Sequence, residues 1–529
     1  MTTFQLTNEQ QEIYDKIIRR QNHTSVLMGA AGTGKTTLAS KIIEHYNNEL
    51  SKDSGKFMLV LAPTVTALSN IRKRSISKHG IFKTVAAMIK EPVTYLKIAT
   101  QEFPISKLEG LLSLKKFLED KLKINTDDII DTEDERNVNL LLLEDAIDIR
   151  FNGKASLISQ FKVSTETRFE DKDPQAIANH LKDIRYIVID EVTMISDEDM
   201  LLLSNAISDY RLTGNKLSVL LCGDPYQLPP VQGEKNGYMN VQKAHKHEDG
   251  YYILTQVLRS GDSVIDIATK IKAKVPLELL KKRFTDQFSD VSSLDHLHPA
   301  VLSRLTNADI VLAFKNADVT ELNKLIRGCK GYSGGVKVGD QLVCLQNELL
   351  TPGQTEFFNA EQFIVKSILT GEDAWDRVRA NYKLVGITGI TCSKLEDYFT
   401  KSGRLVLAKL HSTSTGKTKW CIMESLDKFL RANDKTEISK FLSKRTEEVY
   451  QPIYDEMGRA MEKFMLPPLV RMQFGYALTV HKSQGSEWDN VVYYTTKKDQ
   501  YIIKEPNLNY TAVTRARNDV HILYNDKFV

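Results

Sequence analysis

The sequence is poor in cysteine, with five in 529 residues: Cys222, Cys329, Cys344, Cys392 and Cys421. No two stand at CxxC spacing, so neither a zinc knuckle nor a disulfide framework is written into it. An odd, scattered set fits reduced thiols, and the expected setting is a cytoplasm. The pairs His245/His247 and His296/His298 lack thiol or acidic partners at ligand spacing and read as surface residues. Long apolar runs are missing too. None approaches the roughly 18 residues that a membrane span needs, so no membrane partner is expected. The N-terminal stretch MTTFQLTNEQQEIYDKIIRR has no apolar core of the kind a secretory signal carries. Charge of one sign is also lacking. The formal net charge is +3, so a basic track for nucleic acid must be local rather than global. No internal repeat and no low-complexity segment is visible.

What is present is an ordinary globular composition, 42% hydrophobic and 26% charged, over a length that suggests three or four domains at about 150 residues each. A helix is expected over 9–20, with Thr7 and Gln10 at capping-box spacing. Apolar runs rich in Val, Ile and Leu follow at 25–28, 57–64, 186–191 and 216–224, alternating with helical stretches. That alternation predicts an α/β fold with a parallel sheet covered on both faces. From 91 to 180 the pattern breaks, and the acidic, helix-prone stretch 119–150 reads as a solvated part of an insertion. A second series opens near 309–316 and resumes at 474–485, 489–496 and 519–526. Between them, 335–465 reads as β-like and then helical and charged. The expected division is therefore a first core at 1–90 and 181–260, an insertion at 91–180, a second core at 261–334 and 466–529, and an insertion at 335–465.

The chemistry begins with GAAGTGKT, residues Gly29, Ala30, Ala31, Gly32, Thr33, Gly34, Lys35 and Thr36, followed by Thr37. It follows a strand and opens a helix, the context in which such a loop cradles phosphates. Its glycines let backbone N–H groups turn inward, Lys35 reaches the β- and γ-phosphates, and the Thr36 hydroxyl ligates Mg²⁺. A second GKT at 416–418 has His411 where the first glycine belongs and no apolar strand before it. Asp190 and Glu191 end the run Ile187-Val188-Ile189. Asp190 is expected to hold Mg²⁺ and Glu191 to act as general base on the attacking water. Gln227, in GDPYQLPPV after another strand, is placed to reach the γ-phosphate or that water; the alternative is a proline-rich turn without chemistry. Arg515, in NYTAVTRAR, and Arg259, in LTQVLRS, are candidates for positive charge on the γ-phosphate.

The ordered set GAAGTGKT, APT, IDEVTM, GDPYQLPPV, LTQVLRS, TVHKSQGSEWD and YTAVTRAR resembles the superfamily 1 helicases, and within them the RecD/Dda-like 1B branch. The resemblance implies two RecA-like cores, each interrupted by an insertion. The first insertion would carry a strand-splitting pin and the second an SH3-like module with helices. It implies that Gln10, in LTNEQ, lies on the adenine base, with the helix cap as its alternative role, and that Glu487 contacts the ribose. Pro63 and Thr64, with Thr84 matched less closely, fall in segments that touch single-stranded DNA. His481, Lys482, Ser483 and Gln484, with Gly485, match the element that couples DNA contacts to the nucleotide.

The expected activity is then an ATP-dependent DNA helicase using ATP and Mg²⁺ as a monomer. Its substrates would be single-stranded DNA and single-strand/duplex junctions, with travel from 5′ to 3′, in replication, recombination or repair. Partners would be replication or recombination proteins, in a bacterial or phage-infected cytoplasm. ATP held between two cores would draw them together, and hydrolysis would release the tie. Other readings share parts of this pattern. A non-unwinding translocase has every ATPase motif. A GTPase reading rests on TKKD at 496–499 but lacks a D-x-x-G. A catalytically dead binding module would not need Lys35, Asp190, Glu191 and Arg515, and an RNA substrate is not separated from DNA by these motifs.

Overall fold

A computed structural model describes residues 5–52, 55–64, 67–68, 71–72, 80–98, 101–104, 107, 109–110, 112–114, 116–117, 163–229, 250–258, 262–345, 348–351, 354–382, 390–432, 434–435, 438, 467–502 and 506–527. Contacts gather the chain into two units. One comprises Met1–Thr84, Asp183–Met200 and Lys216–Val529; the other comprises Val85–Lys182 and Leu201–Asn215.

In the first unit a six-stranded parallel sheet runs in the order Gly80–Thr84, Phe57–Ala62, Ile184–Ile189, Ser218–Gly223, Thr24–Gly29 and Tyr251–Leu254. Its central strands are buried on both faces, which is why they read as unbroken Val, Ile and Leu runs rather than alternating ones. The leading helix Asn8–Arg19 is capped as expected. Thr7 Oγ1 accepts from the Gln10 N–H, and Gln10 Oε1 accepts from the Thr7 N–H. Ile13 and Ile17 face the core, joined by Leu38, Ile42 and Ile43 of the helix Lys35–Leu50.

A second parallel sheet has five strands, Phe288–Asp290, Ala516–Asn525, Trp488–Thr496, Ile310–Ala313 and Ala477–Thr479. The strands Tyr251–Leu254 and Phe288–Asp290 are too short and too half-buried for an apolar run to have marked them. Between Ile310–Ala313 and Ala477–Thr479 the chain builds a third, mostly antiparallel sheet. Its order is Leu469–Val470, Thr418–Glu424, Leu405–Ser412, Gln362–Leu369, Gln341–Cys344 and Met472–Phe474. The helices Gly371–Tyr382 and Ile390–Thr400 close one face through Trp375, Val378, Leu395 and Phe399. The module's outgoing strand Gln341–Cys344 and returning strand Met472–Phe474 pair with each other at its base, Leu342 facing Phe474. Buried Asn323 pins the return, accepting from the Tyr476 and Ala477 N–H groups and donating to the Ala477 carbonyl.

The second unit holds an antiparallel sheet of Gln101–Pro104, Lys90–Ile98 and Val163–Asp171, with Asp173 capping the helix Pro174–His180. Its strands are laced by ion pairs, including a two-pronged Arg168–Glu102 contact at 2.7 and 3.1 Å. The stretch 119–150 lies outside the described residues.

Candidate active site

In a parallel sheet every strand delivers its C-terminal end to the same edge, and that edge is where α/β proteins bind ligands. Along the first sheet the edge reads, in order, Thr84, then Pro63 and Thr64, then Asp190 and Glu191, then Asp224 and Gln227, then the loop after Gly29. The DNA candidates thus occupy one half of the edge and the nucleotide candidates the other. Thr84 pairs with Ala62, next to Pro63. Thr64 turns the chain, its hydroxyl accepting from the Ala67 N–H at 3.2 Å.

The loop after Gly29 bends through left-handed Gly32 and Gly34, with φ near +80° at both, and Gly34 stands immediately before the helix Lys35–Leu50. Lys35 Nζ lies over the loop, 2.7 Å from the Gly29 carbonyl and 2.9 Å from that of Ala30. Thr36 and Thr37 sit in the first turn, at the positive end of the helix dipole. Thr33 is buried, its hydroxyl donating to the Ala30 carbonyl. Gln10 packs onto this loop. Its Nε2 donates to the Thr33 carbonyl at 3.1 Å while its Oε1 serves the helix cap. On the far side the Leu258 N–H donates to the Gly32 carbonyl. The Glu9 carboxylate gathers the Thr255 N–H, the Thr255 hydroxyl and the Gln256 N–H. These contacts hold the stretch leading to Arg259 against the loop; Arg259 itself lies outside the described residues.

Asp190 is buried, and one of its oxygens accepts from the Glu191 N–H at 3.0 Å. Glu191 takes a left-handed backbone, φ +52°, uncommon for a residue with a side chain. Among the described residues its Oε2 is buried without a hydrogen-bond partner, as is Gln227 Oε1. Burial, and then the Asp190 charge, raise the Glu191 carboxyl to about 7. Lys35 and Arg515 pull it down, and Asp224 pushes it up. One carboxylate therefore feels the phosphate loop, two neighbouring strand ends and an arginine of the second sheet.

Arg515 is 2% exposed at the N-terminal end of the strand Ala516–Asn525. Its Nε donates to the Thr511 carbonyl and its Nη1 to that of Ser486. Glu487 lies at the same edge, 3.4 Å from Arg517 Nε. His481, Lys482 and Ser483 form a short turn at the opposite edge, after Ala477–Thr479. The His481 ring lies near Phe314, and burial holds both His481 and Lys482 below their ordinary pKa values. Ser483 is fully buried, its hydroxyl donating to the Val480 carbonyl. The segment 480–487 therefore runs from one edge of the second sheet to the other. On the way Gln484 Nε2 donates to the Leu228 carbonyl of the first sheet at 3.0 Å, and Gly485, φ +78°, passes close to Thr64 and Ala67.

Sequence reasoning missed Asp224 and Tyr510 as members of the site. Both stood inside motifs already singled out, but nothing in their spacing says that a tyrosine of the second sheet meets an aspartate of the first. Of two look-alike motifs, one lies at a turn and the other opens the helix Lys497–Ile502. GKT at 416–418 lies at the bend between antiparallel strands, with the Ser412 N–H donating to the Lys417 carbonyl. Asp499 of TKKD is fully buried, bonded to the Thr496 N–H and paired with Lys315 at 2.7 Å. His298 caps the helix Pro299–Asn307.

Fold and site together define a phosphate-loop protein whose nucleotide edge is closed by a second parallel sheet. Residues 10–233 match the AAA domain family, and 474–523 match the UvrD-like helicase C-terminal domain. The ATP-dependent DNA helicase dda of Enterobacteria phage T4 is 23% identical over 98% of this chain and 99% of its own length. The ATP-dependent RecD2 DNA helicase of Deinococcus radiodurans is 48% identical over 50 residues, 10% of this chain and 7% of its own. A Bacteroides Pif1 helicase crystallised with ADP-AlF3 and ssDNA covers 99% of this chain and 93% of its own at 16% identity and a TM-score of 0.47, too distant a likeness to carry an argument. The two family matches and the dda relative agree with the RecD/Dda-like helicase resemblance that the motifs carry.

Proposed function

We propose that this protein is an ATP-dependent DNA helicase that travels 5′ to 3′ along single-stranded DNA and opens duplex at a junction. One observation carries the ATPase half of the reading: Glu191 of the first sheet shares its electrostatic surroundings with Lys35 of the same sheet and Arg515 of the second. A nucleotide held on the loop Gly29–Thr36 would lie between those groups. Lys35 and the loop N–H groups bind its phosphates, and Arg515 supplies charge where the γ-phosphate leaves. Glu191, with one oxygen buried and unpartnered, takes the proton of the attacking water, which Gln227 orients. The Thr36 hydroxyl and the Asp190 carboxylate are hard oxygen donors of the kind Mg²⁺ prefers, and would hold it. The ion when bound neutralises charge on the β- and γ-phosphates. Gln10 and Glu487 are assigned to the base and ribose, Arg259 to the γ-phosphate beside Arg515. Pro63, Thr64, Thr84, His481, Lys482, Ser483 and Gln484 are assigned to the DNA track and its coupling.

Movement follows from the segment 480–487. It touches the candidate track at Thr64 through Gly485, the Gln227 loop through Gln484, and Arg515 through Ser486. A change in how the two sheets close on the nucleotide therefore reaches both the grip on DNA and the reacting phosphate. The test is strand separation with ATP and Mg²⁺ on duplexes bearing a 5′ or a 3′ single-stranded tail. Unwinding of the 5′-tailed duplex alone is expected. Unwinding from the 3′ tail would overturn the direction. DNA-stimulated ATP turnover without unwinding of either would replace the helicase reading with a translocase.

A further inference from the structure

Tyr510 has no part in the roles above, yet it is the side chain that touches both halves of the nucleotide site. It sits on the short helix Asn507–Val513 of the second sheet and is 1% exposed. Its hydroxyl accepts from the Ala31 N–H of the phosphate loop at 2.8 Å and donates to Asp224 Oδ2 at 3.0 Å. Asp224 is fully buried, and its other oxygen accepts from the Tyr226 N–H. Burial, and then the Asp224 charge, push the phenol well above its ordinary range, so the O–H stays a donor.

The rest of the helix makes bonds of the same kind. Thr511 Oγ1 accepts from the Leu228 N–H at 2.9 Å, and Asn507 Nδ2 donates to the Gln227 carbonyl at 3.0 Å. Arg515 is braced from the helix in turn, its Nε on the Thr511 carbonyl. The chain of contacts therefore runs from the phosphate loop, through Tyr510 and the adjacent Thr511 carbonyl, to the guanidinium.

We propose that Tyr510 is a positioning residue for Arg515: its hydroxyl, bonded to Ala31 and Asp224, fixes the helix whose Thr511 carbonyl braces the guanidinium. This rests on the reading of Arg515 as the group that acts on the γ-phosphate. A displacement of about 1 Å at a reacting group can lower a rate by roughly 10²-fold, so a tether of this kind governs turnover without touching substrate. A tyrosine suits the task, because its rigid ring packs beside Tyr226, with centroids 5.8 Å apart, and carries the hydroxyl across.

The test compares DNA-stimulated ATP turnover and binding of a fluorescent ATP analogue in the wild type, Tyr510→Phe, Arg515→Ala and the double variant. Tyr510→Phe keeps the ring and removes only the hydroxyl. Its kcat should fall roughly tenfold, with KM and analogue binding close to wild type. Arg515→Ala should fall further, and the double variant should match Arg515→Ala alone. Additive losses in the double variant would overturn the proposal, as would wild-type kcat in Tyr510→Phe. So would loss of analogue binding together with kcat, because the proposal gives the hydroxyl no part in the grip on nucleotide. Wild-type turnover in Arg515→Ala would instead remove the reading of Arg515, and the proposal with it.

Discussion

At the scale of single residues the site is governed by charge held out of water. Glu191 has an ordinary carboxyl value of 4.5 and is raised to about 7 by burial and by Asp190. A general base must be ionised, so kcat/KM for ATP should rise with pH through about 7 and level off above it, since that ratio reports the free enzyme. Glu191→Gln should abolish the limb together with most of the turnover; an unchanged limb would assign it to another group. The same shift has a consequence for folding. Between about 4.5 and about 7 the folded chain keeps a proton that the unfolded chain releases, so this group's contribution to stability falls as pH rises through that window. Thermal melts of Glu191→Gln against wild type from pH 4.5 to 7.5 should show the variant less sensitive to pH.

At the scale of elements, the constraint lies where backbone and side chain compete for one space. Gly34 has φ +80°, and a Cβ there would lie 2.4 Å from Gln10 Nε2 and 3.3 Å from Leu258 Cδ1. Gly34→Ala strains the backbone and pushes on both neighbours of the loop. ATP binding should weaken at least tenfold while the far half of the sheet edge, and so binding of single-stranded DNA, is spared. Equal losses of both would mean that the loop and the DNA track are not separable. These constraints also mark what was legible in advance. The phosphate loop, Asp190, Glu191 and the cap at Thr7 and Gln10 are local: a strand end, a turn and a helix start lie within a few residues of one another. Tyr510, Asp224 and the path of 480–487 are non-local. Tyr510 meets Ala31 across 479 positions of sequence, and no periodicity encodes a contact at that distance. The short strands Tyr251–Leu254 and Phe288–Asp290 failed for another reason: each takes its stability from one neighbour, not from its own apolar content.

At the scale of the molecule, the two parallel sheets were written in their Val- and Ile-rich runs, because a strand covered on both faces has no other composition open to it. The antiparallel module between Gln341 and Phe474 was legible as a β-like and then helical stretch, but its strand order was not. The antiparallel sheet in the second unit was hidden behind the acidic stretch that dominates the composition there. The division of the first sheet's edge makes a whole-molecule prediction. Lys35→Ala should abolish ATP turnover while single-stranded DNA binding, measured by anisotropy at fixed salt, stays within about threefold of wild type. Loss of both would show that the two halves act as one site.

The pairing of Leu342 with Phe474 bears on how such a protein can change over time. The antiparallel module is an excursion whose two ends are stitched together at its base and locked by Asn323. To the second parallel sheet, the whole stretch between those ends is a closed loop. Lengthening a closed loop is inexpensive, about 0.6 kcal/mol of chain entropy for each doubling. The module can gain hairpins, lose helices or take on a new surface while the strands on either side keep their register. The ATP-handling machinery and the part that meets the outside world are thus free to evolve at different rates within one chain.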